Sequence, residues 1–176
     1  MLLAFALLLA ATHSPSETDA VAQSRLGKRL CVNPDVSTKT CSSILSYKPS
    51  ADGFLIETGE VLVAPAQGIT FEMTSLVKEE GGALCGTVQL ADMQKGIVRV
   101  NGTPLPADRS PAVVAALVER LAPMAGQKAC EALRMQDGRL MKFGQAEKVD
   151  LKLPGKPVKW VDPTEGYRVA SSTQPS

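Results

Sequence analysis

Residues 69–90 read Ile69-Thr70-Phe71-Glu72-Met73-Thr74-Ser75-Leu76-Val77-Lys78-Glu79-Glu80-Gly81-Gly82-Ala83-Leu84-Cys85-Gly86-Thr87-Val88-Gln89-Leu90, and this stretch decides the class of the fold. Ile69, Phe71, Met73 and Val77 alternate with Thr70, Glu72, Thr74 and Lys78. Successive side chains of an extended strand point to opposite faces, so 69–78 is expected to be a strand with one buried and one wet side. Glu79 to Gly82 then forms a hairpin tip. Ala83 to Leu90 returns as the next strand, with Leu84, Val88 and Leu90 on one side and Cys85, Thr87 and Gln89 on the other, so that Cys85 leaves the sheet away from the larger apolar residues.

The same punctuation recurs on both sides of this hairpin. Between Cys41 and Asn101, turn-forming groups at Asp52-Gly53, Thr58-Gly59, Pro65 to Gly68, Asp92 to Gly96 and Asn101-Gly102 separate short β-forming segments at Phe54 to Glu57, Val61 to Val63 and Ile97 to Val100. Consecutive strands joined by tight turns make a β-meander. At Ser110 the pattern changes. Ser110 suits an N-cap and Pro111 the first helical turn, and Val113, Val114, Leu117, Val118 and Leu121 follow at helical spacing with Glu119 and Arg120 opposite. This helix is expected to falter near Pro123 and end by Gly126. Lys128 to Met135 carries both helical and strand features; the tight-turn sequence Gln136-Asp137-Gly138 favours a strand pair with Arg139 to Phe143. Lys148 to Leu153 and Val158 to Val161 complete the strands, with Pro154-Gly155 between them. The expected fold is therefore α+β: a mostly antiparallel β-meander with one amphipathic helix in a single disulfide-stapled domain, residues 23–169, followed by a disordered tail at 170–176.

The chain of 176 residues is 44% apolar and 21% charged, the profile of an ordinary folded domain and not of a disordered polypeptide. Leu2 to Ala11 is an unbroken apolar run, followed by a polar segment and the small-x-small site Ala20-Val21-Ala22 before Gln23. This reads as a signal peptide over 1–22, although no Lys or Arg precedes the run, and a buried N-terminal helix is the alternative. The first cysteine, Cys31, follows Lys28-Arg29-Leu30, which is no lipoprotein site. No second run approaches the roughly 18 apolar residues of a spanning helix, so the mature chain is expected to have no transmembrane span while a membrane-peripheral position stays open. Exported, periplasmic or extracellular, is the expected location.

Cleavage after Ala22 removes two carboxylates and no base, taking the net charge from +1 to +3. Bases this dispersed do not form the stripe of a nucleic-acid binder, and no nucleic-acid partner is expected. The single histidine, His13, lies within the leader. A mature chain without histidine excludes Ser-His-Asp and Cys-His catalysis and histidine-based zinc or haem sites. No metal and no cofactor is expected.

Cys31, Cys41, Cys85 and Cys130 all follow the leader, and an even count in an exported chain favours disulfides. Their spacings contain no Cys-x-x-Cys, against a zinc or redox site. A local Cys31–Cys41 bridge around a polar, turn-rich stretch leaves Cys85 to pair with Cys130.

No motif fixes a reaction. Ser75-Leu76-Val77-Lys78 has the Ser-x-x-Lys spacing of penicillin-recognising enzymes, but no Lys-Thr-Gly follows, and strand residues three apart face opposite sides. Glu57, Glu60 and Glu72 offer an acid–base pair of the glycosidase kind; the plainer expectation is solvated carboxylates on strand faces and turns. Lys142, Lys148, Lys152, Lys156 and Lys159 against Glu147 and Asp150 make a locally basic segment, able to touch anionic envelope material or to guard a strand edge. Trp160 and Tyr167 bracket a turn, as a stacking platform or as core. Asn101-Gly102-Thr103 is both a glycosylation sequon and a turn. The favoured function is a non-catalytic binding or interaction module of the cell envelope whose partner is a protein or an envelope polymer, with Lys152, Lys156, Lys159, Trp160 and Tyr167 as binding residues. A histidine-free hydrolase using carboxylates or Ser/Lys, and a structural accessory subunit of an envelope complex, are the alternatives.

Overall fold

The computed structural model describes residues 15–146 and 154–171. In chain order its elements are α1 (Ala20–Arg25), β1 (Arg29–Val32), β2 (Thr40–Cys41), β3 (Ser43–Pro49), β4 (Phe54–Ala64), β5 (Ile69–Glu80), β6 (Ala83–Thr87), α2 (Leu90–Gln94), β7 (Ile97–Val100), β8 (Thr103–Pro104), α3 (Ser110–Leu121), β9 (Lys128–Gln136), β10 (Arg139–Ala146), β11 (Lys156–Val161) and β12 (Arg168–Val169). The alternation at 69–78 builds β5, which runs on to Glu80, with Phe71 and Val77 buried on one face. Glu79 and Glu80 lead into the tip at Gly81 and Gly82, whose positive φ angles of 59° and 80° carry the chain into β6. The Asp137-Gly138 turn likewise has both φ angles positive, 51° and 73°, matching the twist of the β9–β10 hairpin.

The meander is present, and it closes on itself. β1, β3, β4, β5, β6, β9, β10 and β11 pair antiparallel in that order, and β11 returns to β1 with Arg29 opposite Val161 and Leu30 opposite Trp160. The result is an eight-stranded barrel, mostly β rather than a meander sheet with a helix laid over it. Closure removes the exposed sheet edges that an open meander would leave. One seam departs from a plain barrel: the C-terminal end of β5 pairs with β6, and its N-terminal end, Ile69 to Glu72, pairs with β7, which leads into β8. A separate small ladder joins β2 and β12.

Three clusters form the core. Inside the barrel pack Leu30, Val32, Leu45, Leu55, Val77, Leu84, Leu140, Val158 and Trp160, together with Ala20 of α1. Ala20 reaches this cluster from outside the closed wall, so α1 sits at one mouth of the barrel. The segment is tied to the barrel by the Trp160 indole, which donates to the Glu17 carbonyl at 2.8 Å, while the Gln23 side-chain amide donates to the Pro15 and Ser16 carbonyls and folds the preceding residues back onto α1. A second cluster on the outer surface gathers Ile44, Val161 and Tyr167 around Cys31 and Cys41. The third lies under α3, where Phe71 and Val98 meet Val114. No helix among the described residues is long and apolar enough to cross a membrane.

Both expected bridges are made, Cys31–Cys41 and Cys85–Cys130. The second links adjacent strands, β6 and β9, from the outer face, since Leu84 points inward and Cys85 therefore outward. Two disulfides fit an oxidising compartment.

Several sequence expectations are corrected. Thr58-Gly59 is no turn: β4 runs straight through it, and Gly59 is there because a Cβ would stand 2.9 Å from Leu45 Cδ2 across the pair. The strand from Ala83 ends at Thr87, and Leu90 begins α2, which buries Met93. The first helical residue is Ser110 and its N-cap is Arg109, without a side-chain cap. The expected strand at Lys148 to Leu153 lies outside the described residues, as do the expected leader before residue 15 and the tail after 171; the Ala170 amide still donates to Cys41.

Candidate functional site

Inward positions of a small barrel are normally apolar, because the lumen of eight strands is just wide enough to be filled by side chains or to hold one small ligand. Several inward positions here are polar, among them one each on β3, β4, β9 and β10. On β3 and β4, Tyr47 stands opposite Glu57 in register; on β9 and β10, Glu131 and Lys142 are contributed from positions flanked by Leu133 and Leu140. In the order of the ring, β3 faces β9 and β4 faces β10 across the lumen. Two walls thus send polar groups toward one another. They meet a cavity of about 300 Å³, whose wall includes Tyr47, Glu131, Lys142 and Glu79 and whose rim includes Thr18 to Val21 of the N-terminal segment.

The hydrogen bonding of this group is incomplete. Lys142 Nζ donates to Glu131 Oε1 at 2.6 Å, and the lysine side chain is only 12% exposed. Glu131 Oε2 is buried with no partner. The Glu57 carboxyl and the Tyr47 hydroxyl make no hydrogen bond among the described residues, although Tyr47 is only 5% exposed. Burial first, and the charge of Glu131 second, push the Glu57 carboxyl up to about 7 against the pull of Lys142. Burial and the same two carboxylates hold the Tyr47 phenol well above its ordinary value. Near neutral pH the site therefore pairs a carboxyl poised between its two forms with a carboxylate ion-paired to a lysine.

The residues singled out from sequence are distributed differently. Lys152 lies outside the described residues. Lys156 is exposed on β11. Lys159 Nζ sits 5.3 Å over the Tyr167 ring, donates to its hydroxyl at 3.5 Å and reaches Glu165 at 3.6 Å, while Lys39 Nζ lies 5.1 Å over the same ring. The Tyr167 hydroxyl is the main reason the Lys159 ammonium is held above its ordinary pKa. Trp160 does not join them. It is the neighbour of Lys159 in a strand, so it points into the barrel, where its ring meets Tyr47 edge-on at 6.4 Å. Trp160 and Tyr167 are on opposite sides of the wall and form no common platform.

The carboxylates also part company. Glu60 accepts from Thr70 Oγ1 at 2.6 Å and Glu72 pairs with Arg99 at 3.0 Å, both on the outer surface. Glu57, expected to be solvated, is instead inside the barrel because it shares the parity of Leu55 and Gly59. Lys142, counted with the basic segment, is likewise an interior residue. Ser75 and Lys78 occupy opposite faces of β5, as strand geometry requires. Sequence reading missed Tyr47 and Glu131 as site residues; the signal that could have found them is their place on the apolar side of alternating strands. The chain matches no protein-family model, no characterised protein and no solved structure.

Proposed function

We propose that this protein is an exported, non-catalytic binding module of the cell envelope that takes a group of its partner, a protein or an envelope polymer, into the mouth of its barrel. The observation that carries this reading is the cavity itself: buried polar groups with unmet hydrogen bonds line a space of about 300 Å³, the lower end of ligand-site volumes. A folded protein leaves few buried polar atoms without partners, and a ligand is one way to complete them. The two disulfides support export. The outer pair Lys159 and Tyr167 is already engaged with Glu165 and Lys39, which makes it a weaker place for a partner.

Glu57 and Glu131 favour a second reading, a carboxylate hydrolase with one acid and one base. Against it, one oxygen of Glu131 is occupied by the Lys142 ammonium at 2.6 Å, which engages the lone pairs a base or nucleophile would use.

Trp160, the only tryptophan, touches Tyr47 at the cavity and reports on its contents. Titrating the folded protein with separated protein, polysaccharide and small-molecule fractions of an envelope extract is expected to give a saturable change in Trp160 emission. Leu133→Phe, on the inward face that Glu131 shares, puts a larger side chain at the cavity wall and should abolish it. Binding that survives this substitution, or no saturable response to any fraction, overturns the reading.

A further inference from the structure

We propose that the group received by the barrel cavity is a primary ammonium, held by Glu131 and the Tyr47 hydroxyl, which line it, and drawn by the Glu57 carboxyl behind them. This inference rests on the binding reading above and adds the chemistry of the ligand. Charge is the first argument. The charged groups facing the cavity are Asp19, Glu79 and Glu131 against one cation, Lys142, and Glu57 lies behind them within electrostatic reach of Glu131 and Lys142. Asp19 is partly occupied, since its side chain accepts from the Ala22 amide at 2.8 Å as the cap of α1. The remaining imbalance is negative, and a cation is what relieves it.

Hydrogen-bond inventory is the second and independent argument. Glu131 Oε2 is buried without a partner among the described residues, and neither the Tyr47 hydroxyl at the cavity wall nor the half-buried Glu57 carboxyl behind it makes a hydrogen bond among them. An ammonium carries three N–H donors and no acceptor, and so satisfies both lining groups at once. Lys142 gives the internal precedent, with its own ammonium on the other oxygen of Glu131. A carboxylate or phosphate ligand would find one cation and three carboxylates among the described residues lining the cavity. A neutral alcohol would supply a single donor.

Proton linkage follows from the same arrangement. An ammonium favours ionised Glu57, so below about pH 7 its binding must expel the proton from that carboxyl. Affinity should therefore rise with pH, by up to about tenfold per pH unit below 7, and level off above it.

The test is calorimetric titration of the full chain with n-butylammonium chloride, alongside n-butanol and sodium butyrate as neutral and anionic analogues of the same length, and Nα-acetyl-lysine amide as a polypeptide-borne ammonium. Butylammonium is expected to bind at least about tenfold more tightly than butanol, the scale of a charge-assisted hydrogen bond. Glu57→Gln, which keeps the shape, should cost about tenfold and flatten the pH profile; Tyr47→Phe should cost severalfold while leaving that profile sloped. Acetyl-lysine amide binding as well as butylammonium points to a lysine of a partner chain, and its exclusion to a free amine. Equal binding of butanol, or preference for butyrate, overturns the ammonium inference and leaves the cavity reading standing. An envelope fraction that binds while butylammonium does not has the same meaning. If neither the probes nor any fraction is bound, the cavity reading falls with it.

Discussion

Replacing Glu57 by Gln interrogates the barrel interior through stability alone. The carboxyl is raised from 4.5 to about 7, so between those values the folded protein keeps a proton that the unfolded chain has released. Stability is thus fully present below the unfolded value and is lost as pH rises through the folded one. At about 1.4 kcal/mol for each pKa unit the whole difference amounts to about 3 kcal/mol, most of which falls between pH 5 and pH 8. The background over that interval is quiet. Asp35, Asp162 and Glu165 are held below their ordinary values, by the Ser37 hydroxyl, the Thr164 hydroxyl and the Asp162 amide respectively, and are ionised in both states above pH 5. Tyr47, raised by burial, stays neutral. Gln is close to isosteric with the protonated acid and does not titrate. Urea denaturation followed by Trp160 emission should therefore show the wild type losing about 2–3 kcal/mol between pH 5 and pH 8 while Glu57→Gln keeps most of it. The variant should be the more stable protein at pH 8 and nearly equal to wild type at pH 5. Parallel pH profiles for the two proteins would refute a buried, proton-holding Glu57.

Lys142→Met removes the cation that draws Glu57 downward, so the titration of the Glu57–Glu131 pair should move to higher pH, read from side-chain carboxyl 13C shifts; an unmoved titration would place Lys142 outside the cluster. The bridges span 10 and 45 residues, and closing the longer loop restricts the unfolded chain more. Replacing Cys85 and Cys130 by Ser should cost about 4 kcal/mol and replacing Cys31 and Cys41 about 3 kcal/mol by chain entropy, an order that denaturation midpoints would check. Gly96→Ala would set a Cβ 2.2 Å from ring atoms of the buried Phe71 and 3.0 Å from the Glu72 carbonyl, an overpacking expected to lower stability by about 1–3 kcal/mol. A neutral effect on thermal unfolding would show that Phe71 can yield.

The strands and their turns were legible because period-two alternation and Gly, Asn and Asp at positive φ are local properties. Ile69 to Lys78 and the Asp137-Gly138 turn follow from them, the Ser110 to Leu121 helix from its helical spacing, and the two disulfides from an even cysteine count with one pair close in the chain. Closure was not legible, since the pairing of Arg29 to Val32 with Val158 to Val161 joins segments more than a hundred residues apart and leaves no mark in either. The site depended on closure. In an open sheet with one wet face Glu57 and Lys142 read as solvated, and only when both walls curve round one lumen do the same parities put Tyr47, Glu57, Glu131 and Lys142 inside. Their pattern was already written in the strands: Leu45 and Tyr47, Leu55 and Glu57, Glu131 and Leu133, Leu140 and Lys142 are i, i+2 pairs on shared faces. A polar residue on the apolar side of four strands is a stronger signal than a run of lysines around a turn.

The segment at the barrel mouth adds a further constraint. Ala20-Val21-Ala22, the expected cleavage site, lies in α1, with Ala20 packed against the interior and Gln23 buried. A protease reads an extended chain, so this site is available only before α1 docks. A cut after Ala22 would remove Thr18 to Val21 from the cavity rim and Glu17, whose carbonyl accepts from the Trp160 indole at 2.8 Å. The shortened chain would then have a wider mouth, one carboxylate fewer at the cavity and an indole N–H with a lost acceptor. Hydrogen exchange of the Trp160 indole is expected to be slow in the full chain and faster in a chain beginning at Gln23. Equal protection in both would mean that something other than this segment closes the mouth.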